Sequence, residues 1–477
     1  MGARAGVAQD NGGAASSRSD GKADRQSARH EDQCRVVAQW VKVIPKMTKH
    51  PPSLRYGAPA NDIIRHSPPR SSLVETGAEL AELLKKMDAA DRVAVDTEAD
   101  SLHSYREKLC LLQISLPAVV GIDDGGLARR DFIVDPLATV AGPASRGQPL
   151  RSQQRNRSNH AKRRGWAIQP VQRTGCPPGA QRIDLAPLTA ALERKEIVLH
   201  GADYDLRLLR RGLNFTACRI FDTAIAARLL GLREFGLAAL IKRYFGVELG
   251  KHSQKENWGR RPLPGKMLAY AINDVHYLLP LADRLETQLR ERGRIDWLRQ
   301  SCQRAIEQAA VDRIRDEDEL WRIRGSAHLR GRLAAVLRAL WQWREKEAEA
   351  VDRPPFHILQ NRELLDAAIN FAEGEIPDYR HFSARRRRAF QEAAQSALEL
   401  PESQWPVLRR RFGKRPHPET IRRAEELRHQ RDRAARELDL EPAFVAPRSA
   451  LLAIATDSSR ATSLLVPWQR QLLGMTA

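Results

Sequence analysis

Cysteine is scarce in this chain of 477 residues: there are five, Cys34, Cys110, Cys176, Cys218 and Cys302, none in C-x-x-C spacing. That scatter argues against a paired-cysteine zinc site or a redox dithiol and suits a reducing compartment. Long apolar runs are missing too. The best candidate, residues 109–122, is interrupted by Gln113, Ser115 and Pro117 and falls short of the ~20 residues needed to cross a bilayer. The first residues are rich in Gly, Ala, Ser, Arg and Asp rather than carrying a charged start and an apolar middle, so they do not read as a signal peptide. A cytoplasmic location, with no membrane partner, is expected. Acidic residues are outnumbered, 59 against 79 Lys plus Arg, for a formal charge of +20. Such an excess favours a polyanionic partner, nucleic acid before an acidic membrane surface. The plainer alternative, that part of the excess sits in solvated tails, stays open.

The length implies two to four domains. Residues 1–70 carry Gly, Ser, Pro and mixed charge without sustained apolar periodicity, which reads as a disordered leader; Met47 is an alternative start. From residue 71 to 295 the chain reads as a folded α/β domain. Its expected strands are 92–96, 109–115, 132–134 and 197–199, and its expected helices are 78–87, 203–211, 222–230, 236–245 and 264–292, with Asp222 as an N-cap. Residues 138–182 contain no Asp or Glu and many Arg, Gln and Ser. They read as a basic, disordered insertion between the folded phrases FIVDPL and IDLAPL, although a loop of this length normally counts against an element assignment. Beyond residue 318 the pattern is helical: 320–323, 333–343 and 364–371, then a basic stretch at 418–438 and an apolar segment at 450–473.

Asp96 and Glu98 lie two apart at the end of an apolar strand, so both carboxylates point to one side of a sheet. Two anions so placed repel unless a cation lies between them, and hard oxygen ligands suit Mg²⁺ or Mn²⁺. Alone, D-T-E is equally a strand ending in a solvated acidic turn. Asp205 follows the strand IVLH at a helix start, where a carboxylate also complements the helix dipole. Tyr270 and Asp274, four apart in a helical stretch, share one helix face. Either could be an ordinary surface residue.

Taken in order, D-x-E at a strand end, an Asp after the next parallel strand and Y-x-x-x-D on a late helix resemble the DEDDy 3′–5′ exonuclease superfamily. Within it the chain most resembles ribonuclease D, on the phrases VAVDTEAD, KLCLLQIS, FIVDPL, VLHGADYDLRLL, FDTAIAARLLG and NWGRRPLPGKMLAYAINDVHYLL, spread over residues 92–280. The resemblance implies a ribonuclease-H-like mixed sheet whose first three strands form an antiparallel meander. It implies Asp96, Glu98, Asp205 and Asp274 as ligands of two divalent ions, and Tyr270 as the residue that positions the attacking water. The activity implied is a metal-dependent 3′-to-5′ exoribonuclease. It would release 5′-mononucleotides from RNA with a single-stranded 3′ end, such as precursors of transfer RNA and other small structured RNAs. A DNA exonuclease with the same carboxylates is one alternative; a non-catalytic RNA-binding scaffold is another. His200, Trp258, Arg260 and Arg261 are candidate substrate contacts, with packing the simpler role for His200 and an equal one for Trp258. The phrases DELWRIRG and WREKEAEAVDRPP resemble the HRDC domain, an all-α module expected over 318–398, with Trp341 and Trp343 in its core and Arg385–Arg388 against phosphates. Residues 415–477 are expected to hold a second, divergent HRDC-like region.

Overall fold

The structure, a computed structural model, describes residues 73–117, 131–141, 180–250, 253–311, 319–407 and 416–475. The leader lies outside these residues, as does most of the insertion. The chain divides into two compact units, with the described residues up to 407 in one and those from Pro418 onward in the other.

The first unit is built on a six-stranded sheet. Strand β1 (Leu73–Val74) leads into helix α1 (Gly77–Asp88), which opens with a capping box. Thr76 Oγ1 accepts from the Glu79 N–H, and Glu79 Oε2 accepts from the Thr76 N–H, satisfying two N–H groups with no partner inside the helix. Strands β2 (Arg92–Ala99), β3 (Leu109–Ser115) and β4 (Asp131–Val134) form the expected antiparallel meander. Every residue of β3 is buried, as a central strand covered on both faces requires. After β4 comes a two-stranded ribbon, β5 (Thr139–Ala141) with β6 (Ala180–Arg182). This corrects the reading of residues 138–182 as one structureless segment: both of its ends are strands, paired antiparallel. Helix α2 (Ala186–Glu193) then returns the chain to β7 (Glu196–Leu199), parallel to β2. Helix α3 (Asp203–Leu213) and strand β8 (Arg219–Asp222), parallel to β7, follow.

Several elements depart from expectation. Strand β2 continues past Asp96 to a register shift at Glu98/Ala99, so both acidic residues lie within the ladder. The sheet order is β1-β4-β3-β2-β7-β8, so the two-residue β1, absent from the expected strands, pairs outside β4; so short a strand carries no period to read. Helices α4 (Thr223–Leu229) and α5 (Leu237–Phe245) match expectation, but the long helix over 264–292 is two, α6 (Gly265–His276) and α7 (Leu278–Glu291). They meet at Tyr277, a 1%-exposed side chain packed against Phe245. Helix α8 (Ile295–Ala310) packs on α3 and β8, carrying the α/β region beyond 295.

Residues 319–407 form a helical body of α9 (Gly331–Ala350), α10 (Pro355–Ile358), α11 (Asn361–Ala372) and α12 (Ala384–Leu398). Trp343, Phe371, Phe382 and Phe390 lie in its core, and Trp341 packs against it. Residues 320–323, expected to be helical, form a turn instead. The second unit contains α13 (Pro418–Glu437), α14 (Pro442–Val445), α15 (Arg448–Thr456), α16 (Ala461–Leu464) and α17 (Pro467–Leu472) around its own core of Leu427, Leu451, Ile454 and neighbours. Its first three helices repeat the order α9–α11: a 20-residue helix, a four-residue helix beginning with Pro, then another helix. In each case the long helix is followed by an Asp of positive φ, Asp352 at 46° and Asp439 at 53°, consistent with a left-handed helix stop.

Candidate active site

Asp96 and Glu98 alternate to one face of β2. Helix α6 packs across β2, β3 and β4 and delivers Asp274 to them. Carboxylate oxygens of Asp96, Glu98 and Asp274 lie within 4.8 Å of one another, and all three residues are half-buried. Asp205, expected in the same group, falls outside that set of three and sits in the first turn of α3, buried. Its Oδ1 accepts from Thr97 Oγ1 at 2.5 Å. Thr97, the middle residue of D-T-E, alternates to the other face of β2, so one tripeptide serves both groups of carboxylates. Asp222 fixes the turn that presents Asp205. It caps α4 as expected, accepting from the Ala224 and Ile225 N–H groups, and also from those of Gly201 and Ala202. The Asp222 cap was legible from the sequence; its tie to the β7–α3 turn, and the role of Thr97, were not.

So many carboxylates in so little water resist ionisation. Burial, then the charges of Asp205, Asp274 and Glu98, raise the Asp96 carboxyl well above its usual range. Glu98 is pushed up to about 9 by burial and by Asp274 and Asp205. Burial lifts Asp274 to about 7, partly offset by the hydrogen bond from Tyr270. Asp205 rises to about 6, again by burial, with the Thr97 hydrogen bond opposing. Burial and the charges of Asp274 and Glu98 also raise the Tyr270 phenol, so at neutral pH it keeps its proton. An all-oxygen, mutually repelling set of this kind fits hard divalent cations, whose charge would relieve the repulsion.

A family model described as 3′–5′ exonuclease matches residues 72–141 and 164–290, and an HRDC domain model matches residues 334–370. The chain is 31% identical over 303 residues to ribonuclease D of Zymomonas mobilis, covering 62% of this chain and 63% of that protein. It is 25% identical over 418 residues to ribonuclease D of Gluconacetobacter diazotrophicus, covering 85% and 91%. Over these residues the chain is similar to 3′–5′ exonucleases of the ribonuclease D type. The crystal structure of Escherichia coli RNase D shares its fold, with a TM-score of 0.55 and 19% identity over 84% of this chain and 96% of that one. The chain thus spans under two thirds of the Zymomonas relative.

Around the carboxylates of this exonuclease domain, the candidate substrate contacts sort differently from expectation. Trp258 is 1% exposed, packed among Cys110, Leu111, Ile133 and Met267 with its ring 6.2 Å from that of Tyr270. It is closed to base stacking and instead buttresses Tyr270. Arg261 is no phosphate clamp either. Its Nε and Nη2 donate to Asp135 at 2.6 Å each, Nη2 also reaches the Cys110 carbonyl, and Nη1 reaches the Trp258 carbonyl. Arg260 is exposed and keeps its candidacy. His200 Nδ1 lies 2.9 Å from Thr223 Oγ1, and burial holds the imidazole below its usual value, in line with packing. In the HRDC domain Arg385 and Arg386 are both paired with Glu347, at 2.9 and 3.0 Å, so two of the four arginines expected on phosphate hold α12 against α9. The loop after β2 reaches this domain. Tyr105 packs against its core, the Tyr105 N–H donates to Asp352 Oδ1 at 3.1 Å, and Arg106 pairs with Glu349 at 2.6 Å.

Proposed function

We propose that this chain is a 3′-to-5′ exoribonuclease that hydrolyses nucleotides one at a time from a single-stranded RNA 3′ end, with two Mg²⁺ or Mn²⁺ ions. The observation that carries the reading is the convergence of Asp96, Glu98 and Asp274, whose carboxylate oxygens lie within 4.8 Å of one another, with Asp205 tied to the same D-T-E tripeptide through Thr97; an acid cluster of this kind can take up hard divalent cations. Bound there, the ions would supply Lewis-acid activation of a water and stabilisation of the leaving oxygen. Asp96, Glu98 and Asp274 would hold one ion, and Asp96 with Asp205 the other. Tyr270 donates to Asp274 and stays protonated, so its part is to orient the attacking water rather than to accept its proton. Thr97 and Asp222 keep Asp205 in place. The products are 5′-mononucleotides, and the substrates are precursors of transfer RNA and other small structured RNAs, as for the ribonuclease D family that the motifs resemble. The excess of basic residues suits the RNA backbone. The region from 418, which repeats the helix order of the HRDC domain, is read as a divergent second copy. The scatter of the cysteines supports a cytoplasmic location. The test is digestion of an end-labelled single-stranded RNA and its matched DNA, with Mg²⁺, with Mn²⁺ and with chelator. Release of mononucleotides from the RNA 3′ end only with a cation is expected. Preferential digestion of DNA, or activity in chelator, refutes the reading.

A further inference from the structure

Beside the carboxylates lies a polar side chain that neither the motif nor the packing accounts for. Gln113, at the centre of β3, is fully buried. Among the described residues neither its Nε2 nor its Oε1 has a hydrogen-bond partner. Burying a carboxamide without partners costs free energy that an apolar side chain would not incur, so its presence between Leu112 and Ile114, in the middle of a buried strand, calls for a cause.

The register supplies one. Gln113 stands directly opposite Asp96 on β2 and opposite Ile133 on β4. Residues opposite each other in an antiparallel ladder share a face, with Cβ atoms ~5 Å apart, within reach of a glutamine carboxamide. That face is the one α6 covers, through Met267, Ala271 and Ile272 against Leu111 and Ile133. Of its two register partners, only Asp96 can accept a hydrogen bond. The chain's own arrangement therefore seals an amide donor under α6, next to the carboxylate that feels the other three acids.

We propose that Gln113 is a positioning residue for Asp96: its Nε2 donates to the Asp96 carboxylate when that carboxylate holds cations, fixing its orientation toward them. A carboxylate that must face two ions has oxygen lone pairs to spare for one such donor. Outer hydrogen bonds of this kind set the aim and affinity of a ligand; their loss typically costs 10–100-fold in metal affinity. The inference rests on the reading of Asp96 as a cation ligand.

The test uses the full-length chain with Gln113→Met, which keeps length and approximate volume without a donor, and Gln113→Leu as a second shape should the first fail to fold. Mn²⁺ affinity is measured by titration calorimetry, and the cation-free melting temperature by circular dichroism. The expected result is at least a roughly tenfold weaker Mn²⁺ affinity, with a cation-free melting temperature equal to or above the parent's, because an unpaired amide has been removed. Turnover should fall at limiting Mn²⁺ and recover at saturation, with the KM for RNA unchanged. A folded variant that binds Mn²⁺ as tightly as the parent overturns the proposal. Asp96→Asn is the control: if it too keeps full Mn²⁺ affinity, the cation site itself has been misread, whereas loss there with retention in both Gln113 variants rejects the role of Gln113 alone.

Discussion

Arg261→Met separates two roles that the sequence could not. As a phosphate contact, Arg261 would contribute to RNA affinity and little to stability. In the structure its guanidinium makes a two-pronged contact with Asp135, whose side chain is 7% exposed against 26% for the arginine. It also caps the carbonyls of Cys110 and Trp258. Methionine keeps part of the aliphatic packing and leaves Asp135 a buried, uncompensated charge at the end of β4. Breaking a buried pair by removing one partner costs about 3–5 kcal/mol, and the partial exposure of the arginine places this case near about 3 kcal/mol. For a domain of some 150–250 residues each kcal/mol shifts the melting temperature by roughly 2–4 °C, so the expected loss is roughly 6–12 °C. Thermal melts of parent and variant measure it, and an RNA-binding salt series run in parallel reads the other role. A shift below about 2 °C, together with a log–log salt slope shallower by about one, would refute the reasoning and return Arg261 to the substrate.

Asp96→Asn and Asp274→Asn are each expected to lower hydrolysis by about 10²-fold or more while raising the cation-free melting temperature at pH 8, since each removes a carboxyl whose ionisation the folded state opposes; a melt and a single-turnover assay check both. The cation-free protein should lose stability as pH rises from about 4 through the elevated values of Asp205, Asp274 and Glu98, about 6, 7 and 9. In that window the folded state binds more protons than the unfolded one, so stability falls with pH. Mg²⁺ should reverse the trend and release protons, seen as a buffer-dependent heat of binding; a melting temperature flat across that range contradicts the assignment. Replacing residues 142–179 by Asn-Gly closes the ladder where Ala141 meets Ala180 with a two-residue turn that hairpins favour. Melting temperature and cleavage of short RNA should be kept, whereas a cut from Leu137 to Ile183 removes the ribbon itself; unfolding of the shorter deletion would show that the segment is integral.

The candidate acids stood out in the sequence through their order, D-x-E at a strand end, an Asp at a helix start and Y-x-x-x-D on a late helix, which resembles a known superfamily; singly, each was equally a turn or surface residue. The strands of the meander could be read from their apolar pattern, but their antiparallel pairing was what the family resemblance implied. The ends of the insertion and the strand β1 could not, because strands of two or three residues show no period and exist only through their ladder partners; four-residue β8, which begins with exposed Arg219 and ends in the Asp222 cap, offered only two apolar residues to read. The break between α6 and α7 does have a signal in the sequence, which the single helix over 264–292 passes over: Pro280, in the first turn of α7, has no N–H to bond the carbonyl of His276 and its ring crowds that carbonyl. Arg261 and Trp258 look like substrate contacts in sequence, where an arginine beside a tryptophan carries no sign of burial; the fold turns one onto Asp135 and the other under Tyr270. The sequence by itself determined which carboxylates exist and in what order. Tertiary structure alone decided that Asp205 is held by Thr97 apart from the other three, and that Gln113 lies opposite Asp96, because hydrogen bonds and strand register join residues that the chain keeps far apart.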